Sequence, residues 1–133
     1  MNRDSLVEAA SVTRVNGYAP YSAFRVGAAV LTKSGRVFTG ANVENASFGL
    51  TICAERVCIG AAVAAGEREF EHLAVVTDAG QPSTPCGACR QVISEFAQDI
   101  EITCATTAGA RQLFRIGELL PCANEGLDVP RRT

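Results

Sequence analysis

The sequence predicts an α/β fold, a three-layer α-β-α arrangement in which helices cover both faces of one mixed sheet of about five strands. Three observations predict it. A helical pattern is followed by a two-strand hairpin and then by alternating helix and strand patterns. The segment from His72 to Thr77 (HLAVVT) is continuously apolar, as a strand buried on both faces must be. No internal repeat, linker or shift in composition divides the 133 residues, so residues 1–133 are expected to form a single domain.

The elements follow in order. From Asp4 to Val15, apolar Leu6, Val7, Ala10 and Val15 recur at helical spacing until Asn16-Gly17 offers a stop. Arg25 to Leu31, the turn Thr32-Lys33-Ser34-Gly35, and Arg36 to Gly40 read as a β-hairpin. A loop rich in Asn, Ser and Gly runs from Asn42 to Leu50, and the good helix formers of Ile52 to Ala65 follow it and stop at Gly66. After the strand at His72 to Thr77, turn residues occupy Asp78 to Pro85 and a third helix is expected from about Cys86 to Ala97. Ile100 to Ala105 reads as another strand, Ile116 to Leu120 as a short helix, and Pro130 to Thr133 as a polar tail.

Composition removes several functional classes. Hydrophobic residues make up 47% of the chain, aromatics only 6%, and the formal net charge is -2, so the chain has no excess of Lys and Arg to neutralise a phosphate backbone. No nucleic-acid partner is expected. The opening MNRDSLVE has no long apolar run, and nothing later approaches the roughly 20 apolar residues of a membrane span. No membrane association is expected, and a cytoplasmic location is. Six cysteines in a reducing compartment are poor material for a disulfide framework, so their spacing asks for a chemical explanation.

That spacing is Cys53-Ala54-Glu55 and, about thirty residues on, Pro85-Cys86-Gly87-Ala88-Cys89, both at predicted helix starts. A helix amino terminus favours thiolates. Cys86 and Cys89, one turn apart, can grip an ion from one helix while Cys53 supplies a third sulfur from its neighbour. Taken alone, Cys86-x-x-Cys89 fits a redox dithiol or half of a structural zinc site, the two together as well as it fits a catalytic zinc site. The upstream Cys-Ala-Glu shifts the balance, because three sulfurs leave a tetrahedral position open beside the Glu55 carboxylate, as in a catalytic zinc site.

The other candidate ligands fit poorly. Cys58 lies about 140° around the helix from Cys53, and His72, at the start of its strand, should sit about 20 Å away. Cys104 is expected to pack within its strand, and Cys122 has no evident partner. Three thiolates leave a net charge near -1 on a divalent site, so a donor to the sulfurs is expected, and Arg56, three residues after Cys53, is placed to provide it.

At these residues, together with Tyr18-Ala-Pro-Tyr21-Ser-Ala-Phe24-Arg-Val-Gly, Asn42-Val-Glu44-Asn45-Ala46 and Pro85-Cys-Gly-Ala-Cys-Arg-Gln-Val, the chain resembles the small homotetrameric cytidine deaminases. The resemblance implies one Zn2+ per chain and hydrolysis of cytidine or 2′-deoxycytidine to the uridine product plus ammonia, as in pyrimidine salvage. Glu55 would carry protons from the attacking water to N3 and the departing amine. It further implies that Asn42 and Glu44 hold ribose hydroxyls, that Phe24 packs on the base with Ala54 nearby, and that a neighbouring subunit contributes Asn45, Ala46 and Phe48.

Two departures stand out. Family members often carry Tyr where this chain has Phe48, and a Phe after the Leu-Leu-Pro segment where this chain has Cys122-Ala123-Asn124. The latter leaves Leu127 to close over the base, or a weaker lid.

Two rival readings accompany this one. A deaminase of another aminopyrimidine nucleoside, of the blasticidin type, would share the metal clusters, although Asn42-Val-Glu44 argues for ordinary ribose. A non-catalytic zinc-stabilised binding module would not need Glu55 beside the metal.

Overall fold

The computed structural model describes residues 1–123 and residue 130. Its elements are α1 (Arg3–Arg14), β1 (Gly27–Thr32), β2 (Val37–Ala41), a 3-10 turn (Phe48–Leu50), α2 (Ala54–Ala64), β3 (Phe70–Thr77), α3 (Gly87–Phe96), β4 (Glu101–Thr106), β5 (Arg111–Arg115) and α4 (Ile116–Leu119). They build the expected mixed sheet, in the order β2-β1-β3-β4-β5, with β3 and β4 parallel and every other pair antiparallel.

Local chemistry explains the boundaries. The Asn2 side chain caps α1 by accepting from the Ser5 amide at 2.8 Å, with Asp4 in the first turn and Arg14 in the last, each at its favourable pole. Gly35, at φ 92°, supplies the left-handed turn between β1 and β2. The one strand absent from the expected order is β5. Its residues Arg111 to Arg115 pair with β4 on a mostly exposed edge, so Arg-Gln-Leu-Phe-Arg carries little of the apolar alternation that marks a half-buried strand. Gly109, at φ 105°, makes the turn that returns it to β4.

The strands' period of two divides the interior. Ala29, Ala74, Val76 and Ala105 face Leu6, Val7 and Ala10 of α1. Ala28, Val30, Leu73, Val75, Ile102 and Cys104 face the layer that includes Ala54, Cys58 and Ile59 of α2, Ile93 of α3 and Ile116 of α4. Two glycines let helices lie directly on the sheet. A Cβ on Gly27 would stand 2.0 Å from the Ala10 carbonyl oxygen, and one on Gly40 would stand 2.5 Å from the Cys58 nitrogen and 2.6 Å from the Ala54 carbonyl oxygen.

Register then brings one edge of the sheet together. Gly27, at the start of β1, pairs with both Ala41 at the end of β2 and Val76 near the end of β3. The chain entering β1, the chain leaving β2 and the chain leaving β3 therefore meet at one place. His72 lies at the far end of β3, buried, with Nε2 2.7 Å from Thr103 Oγ1 and Nδ1 3.9 Å from a Glu101 carboxylate oxygen.

Two expectations follow from this packing. Gly40→Ala should push α2 off β2 and lower stability by roughly 1–3 kcal/mol, the usual effect of overpacking, read as a lower urea midpoint at unchanged slope. Burial, and next the Arg3 charge, hold the His72 pKa below its ordinary value of 6.5 against the opposing pull of Glu101 and Glu71. The unfolded chain then binds more protons at this residue below pH 6.5, so that part of the stability is present above 6.5 and is lost as pH falls. Thermal melts between pH 7.5 and 5 should show the decline, and His72→Gln should flatten it.

Candidate active site

The three converging segments enclose a cavity of about 270 Å³ at that edge. Phe24 comes from the chain entering β1; Asn42, Glu44, Cys53, Ala54 and Glu55 come from the chain between β2 and α2; Cys86 comes from the chain leaving β3. Sequence reasoning missed Ser22, Thr51, Ser83 and Thr84, and also Val75 and Thr77 at the end of β3. Small hydroxyl residues in loops carry no periodic signal, and only the turn-rich composition of 78–85 marked that segment.

Cys53 is the N-cap of α2 and Cys86 the N-cap of α3. The Cys86 sulfur accepts from the Cys89 amide at 3.5 Å, so the residue that caps the helix also aims its sulfur at the Cys89 side. The ligand atoms of Cys53, Cys86 and Cys89 all lie within 4.8 Å of one another, with 3.7 Å between the sulfurs of Cys53 and Cys86. Sulfurs about 2.3 Å from a tetrahedral zinc stand about 3.8 Å apart, so the Cys53–Cys86 pair matches that spacing and the trio suits that ion in donor type. Cys53 and Cys86 line the cavity while Cys89 is buried behind them.

The trio is electrostatically coupled. The hydrogen bond from the Cys89 thiol, then Arg56 and Cys86, hold Cys53 well below the ordinary thiol range against its burial, and the same bond pushes Cys89 upward. Arg56 Nη2 donates to Cys53 Sγ at 3.5 Å, where the sequence placed it, and its Nε is buried with no protein partner. Its charge also favours the thiolate form of Cys53.

Glu55 is 4% exposed, and burial pushes its carboxyl up to about 7, with the neighbouring Cys53 adding to the rise. No fourth His, Cys, Asp or Glu joins the sulfurs among the described residues. Cys58 and Cys104 are buried in the α2-side core, each pushed up to about 12 chiefly by burial, and Cys58 donates to the Phe38 carbonyl at 3.1 Å. Cys122 is exposed beyond α4, and His72 is at the opposite end of its strand.

On the other side of the cavity, Asn42 and Glu44 have work within the fold. Asn42 donates to the Phe24 carbonyl at 2.8 Å and accepts from the Val26 amide at 3.0 Å. Glu44 accepts from the amides of Tyr21 at 3.0 Å and Ser22 at 3.1 Å on one oxygen, and from the Ser22 hydroxyl on the other. The hydroxyl contact is the chief cause that lowers the Glu44 pKa. Both residues thus hold the segment that carries Phe24, whose ring is 37% exposed at the cavity and is no core ring.

Asn45, Ala46 and Phe48 do not line the cavity; Phe48 is 75% exposed and meets Tyr21 edge-on, with ring centroids 6.0 Å apart. Asn124 and Leu127, the positions of the expected closure, lie outside the described residues.

Residues 1–106 match the family model described as the cytidine and deoxycytidylate deaminase zinc-binding region. A cytidine deaminase of Halalkalibacterium halodurans is 46% identical over 130 residues, covering 97% of this chain and 98% of that protein. One from Mycobacterium tuberculosis is 43% identical over 122 residues, covering 92% and 89%. The crystal structure of cytidine deaminase from Burkholderia pseudomallei superimposes with a TM-score of 0.89 at 48% identity, covering 91% of this chain and 98% of that one. With a matching sheet, matching length and three cysteines gathered at the spacing of one zinc ion per chain, the protein belongs to the cytidine deaminase family of zinc-dependent hydrolases.

Proposed function

We propose that this enzyme hydrolyses the exocyclic amine of cytidine and 2′-deoxycytidine, releasing ammonia and the corresponding uridine, in cytoplasmic pyrimidine salvage. The observation that carries the reading is a trio of thiols within one ion's reach, sharing a cavity with a buried carboxyl group. Zinc held by Cys53, Cys86 and Cys89 supplies Lewis acidity and makes water a stronger acid.

Glu55 moves the protons. It takes one as water adds to C4, delivers it to N3, and passes the next to the amine that leaves, so one water is consumed and one ammonia released. A carboxyl group whose burial favours its protonated form suits both halves of that shuttle. Phe24 offers its ring to the base, Ala54 lines the wall beside Glu55, and Arg56 tempers the charge on the sulfurs. No Lys or Arg lines the cavity among the described residues, which supports a nucleoside over its phosphate ester.

Asn42 and Glu44 face the sugar, favouring ordinary ribose over a blasticidin-type antibiotic. A carboxylate has about four acceptor positions, and protein donors take three of those on Glu44. One remains, enough for a single sugar hydroxyl.

A homotetramer with shared active sites is part of this reading. Exposed Tyr18, Tyr21, Phe48 and Leu50 crowd the segments around the cavity, and Gly60, Ala61, Ala64 and Ala65 are exposed on α2, as expected of surfaces that meet other copies. Asn45, Ala46 and Phe48 would then reach a neighbour's cavity. Six free cysteines support a reducing compartment.

The test is the ultraviolet change as cytidine becomes uridine, measured alongside zinc per chain. Glu55→Gln should keep its zinc and lose at least about 100-fold in kcat, the lower range for a positioned proton carrier. Zinc retention with near-normal turnover would remove Glu55 from this role. Since Glu44 has one free acceptor position, kcat/KM for cytidine and 2′-deoxycytidine should agree within about tenfold, or 1.4 kcal/mol. A larger preference would mean a dedicated partner for the 2′-hydroxyl.

A further inference from the structure

The Ser22 hydroxyl stands between the two substrate-facing sides of the cavity. It donates to Glu44 Oε2 at 2.5 Å and accepts from the Phe24 amide at 3.0 Å, while the Ser22 amide donates to Glu44 Oε1 at 3.1 Å. Ser22 is itself part of the cavity wall. The next residue, Ala23, has φ 59°, a left-handed conformation that a residue with a side chain adopts at some energetic expense. The hydrogen bonds on either side of Ala23 offset that strain.

One hydroxyl therefore fixes two things together. It leaves Glu44 a single free acceptor position at a defined place, and it sets the backbone from which the Phe24 ring projects. Asn42, from the other end of the segment, holds the Phe24 carbonyl and the Val26 amide. The ring is gripped on both sides of its Cα, by Ser22 through its amide and by Asn42 through its carbonyl.

We propose that Ser22 is a positioning residue for nucleoside recognition, coupling the carboxylate that meets the sugar to the ring that meets the base. This rests on the reading of Glu44 as a sugar contact. Without the hydroxyl, Glu44 Oε2 turns toward solvent, the Phe24 amide loses its acceptor, and the Ala23 turn relaxes. Glu55 and the sulfurs come from other segments, so the defect falls on binding rather than on the chemical step.

The experiment is steady-state kinetics on cytidine for the wild type, Ser22→Ala, Ser22→Thr, Glu44→Gln and the Ser22→Ala/Glu44→Gln pair, with zinc content and melting temperature recorded for each. Loss of a hydrogen bond to a charged group should raise KM about tenfold in Ser22→Ala, with kcat within about twofold of wild type. Ser22→Thr, which keeps the hydroxyl, should restore most of the KM. In the Glu44→Gln background the Ser22→Ala effect should shrink to about threefold or less, because the two act as one unit.

An unchanged KM, a fall in kcat as large as the rise in KM, or full additivity with Glu44→Gln would each overturn the proposal. So would a KM defect that tracks lost zinc or a collapsed melting temperature, which would assign Ser22 to folding. A wild type that binds zinc but does not deaminate cytidine would instead end the functional reading itself, a separate result seen before any Ser22 variant is compared.

Discussion

Everything at the active edge depends on three sulfurs from two helix starts meeting within the reach of one ion. Thiolates repel one another, and they gather only where something else supplies positive potential. Here the amino ends of α2 and α3 supply part of it and Arg56 another part. The start of α2 is in turn fixed by the sheet, because α2 lies directly on Gly40, and α3 begins after the connection 78–86 that follows β3. A displacement of either helix by about an ångström would pull the triangle beyond zinc–sulfur bonding distance.

The same edge reconciles two demands that conflict elsewhere in the chain. A carboxyl group is buried at Glu55, where burial, with Cys53 adding to it, drives its pKa toward neutrality, while Glu44 is half-buried and held below its ordinary pKa by donors from Ser22 and Tyr21. Two carboxyl groups lining one cavity from opposite sides are thus tuned in opposite directions. Neither is a metal ligand; the soft donors are all sulfur, and the oxygen donors remain available for the organic substrate.

The segment from Tyr18 to Val26 has no helix or strand of its own to hold it, yet it carries Phe24. Its stiffness comes from Asn42 and Glu44, which serve both the fold and the cavity. Of the four acceptor positions on Glu44 and the donors and acceptors of Asn42, most are spent inside the protein. What is left over is a small, directional set, which on the function proposed above is what would meet the sugar.

The sequence alone determined the layers, the succession of the first four strands along the chain, and the donor set of the metal site. Apolar period and turn residues report local backbone states, and Cys-x-Glu with Cys-x-x-Cys reports a donor set that few other structures would use. Cys58 and His72 were excluded by helix rotation and strand length, which are also local geometry.

Only the tertiary structure decided the rest. It added β5, whose exposed edge carries too little alternation to be seen in the residues, and the placement of Ser22, Thr51, Ser83 and Thr84 around the cavity. It also revealed that Asn42 and Glu44 both line the cavity and hold the Phe24 segment, because a hydrogen bond across 16 to 23 residues is set by strand register. Periodicity says which face a residue takes; only closure of the sheet says which distant residue will be waiting there.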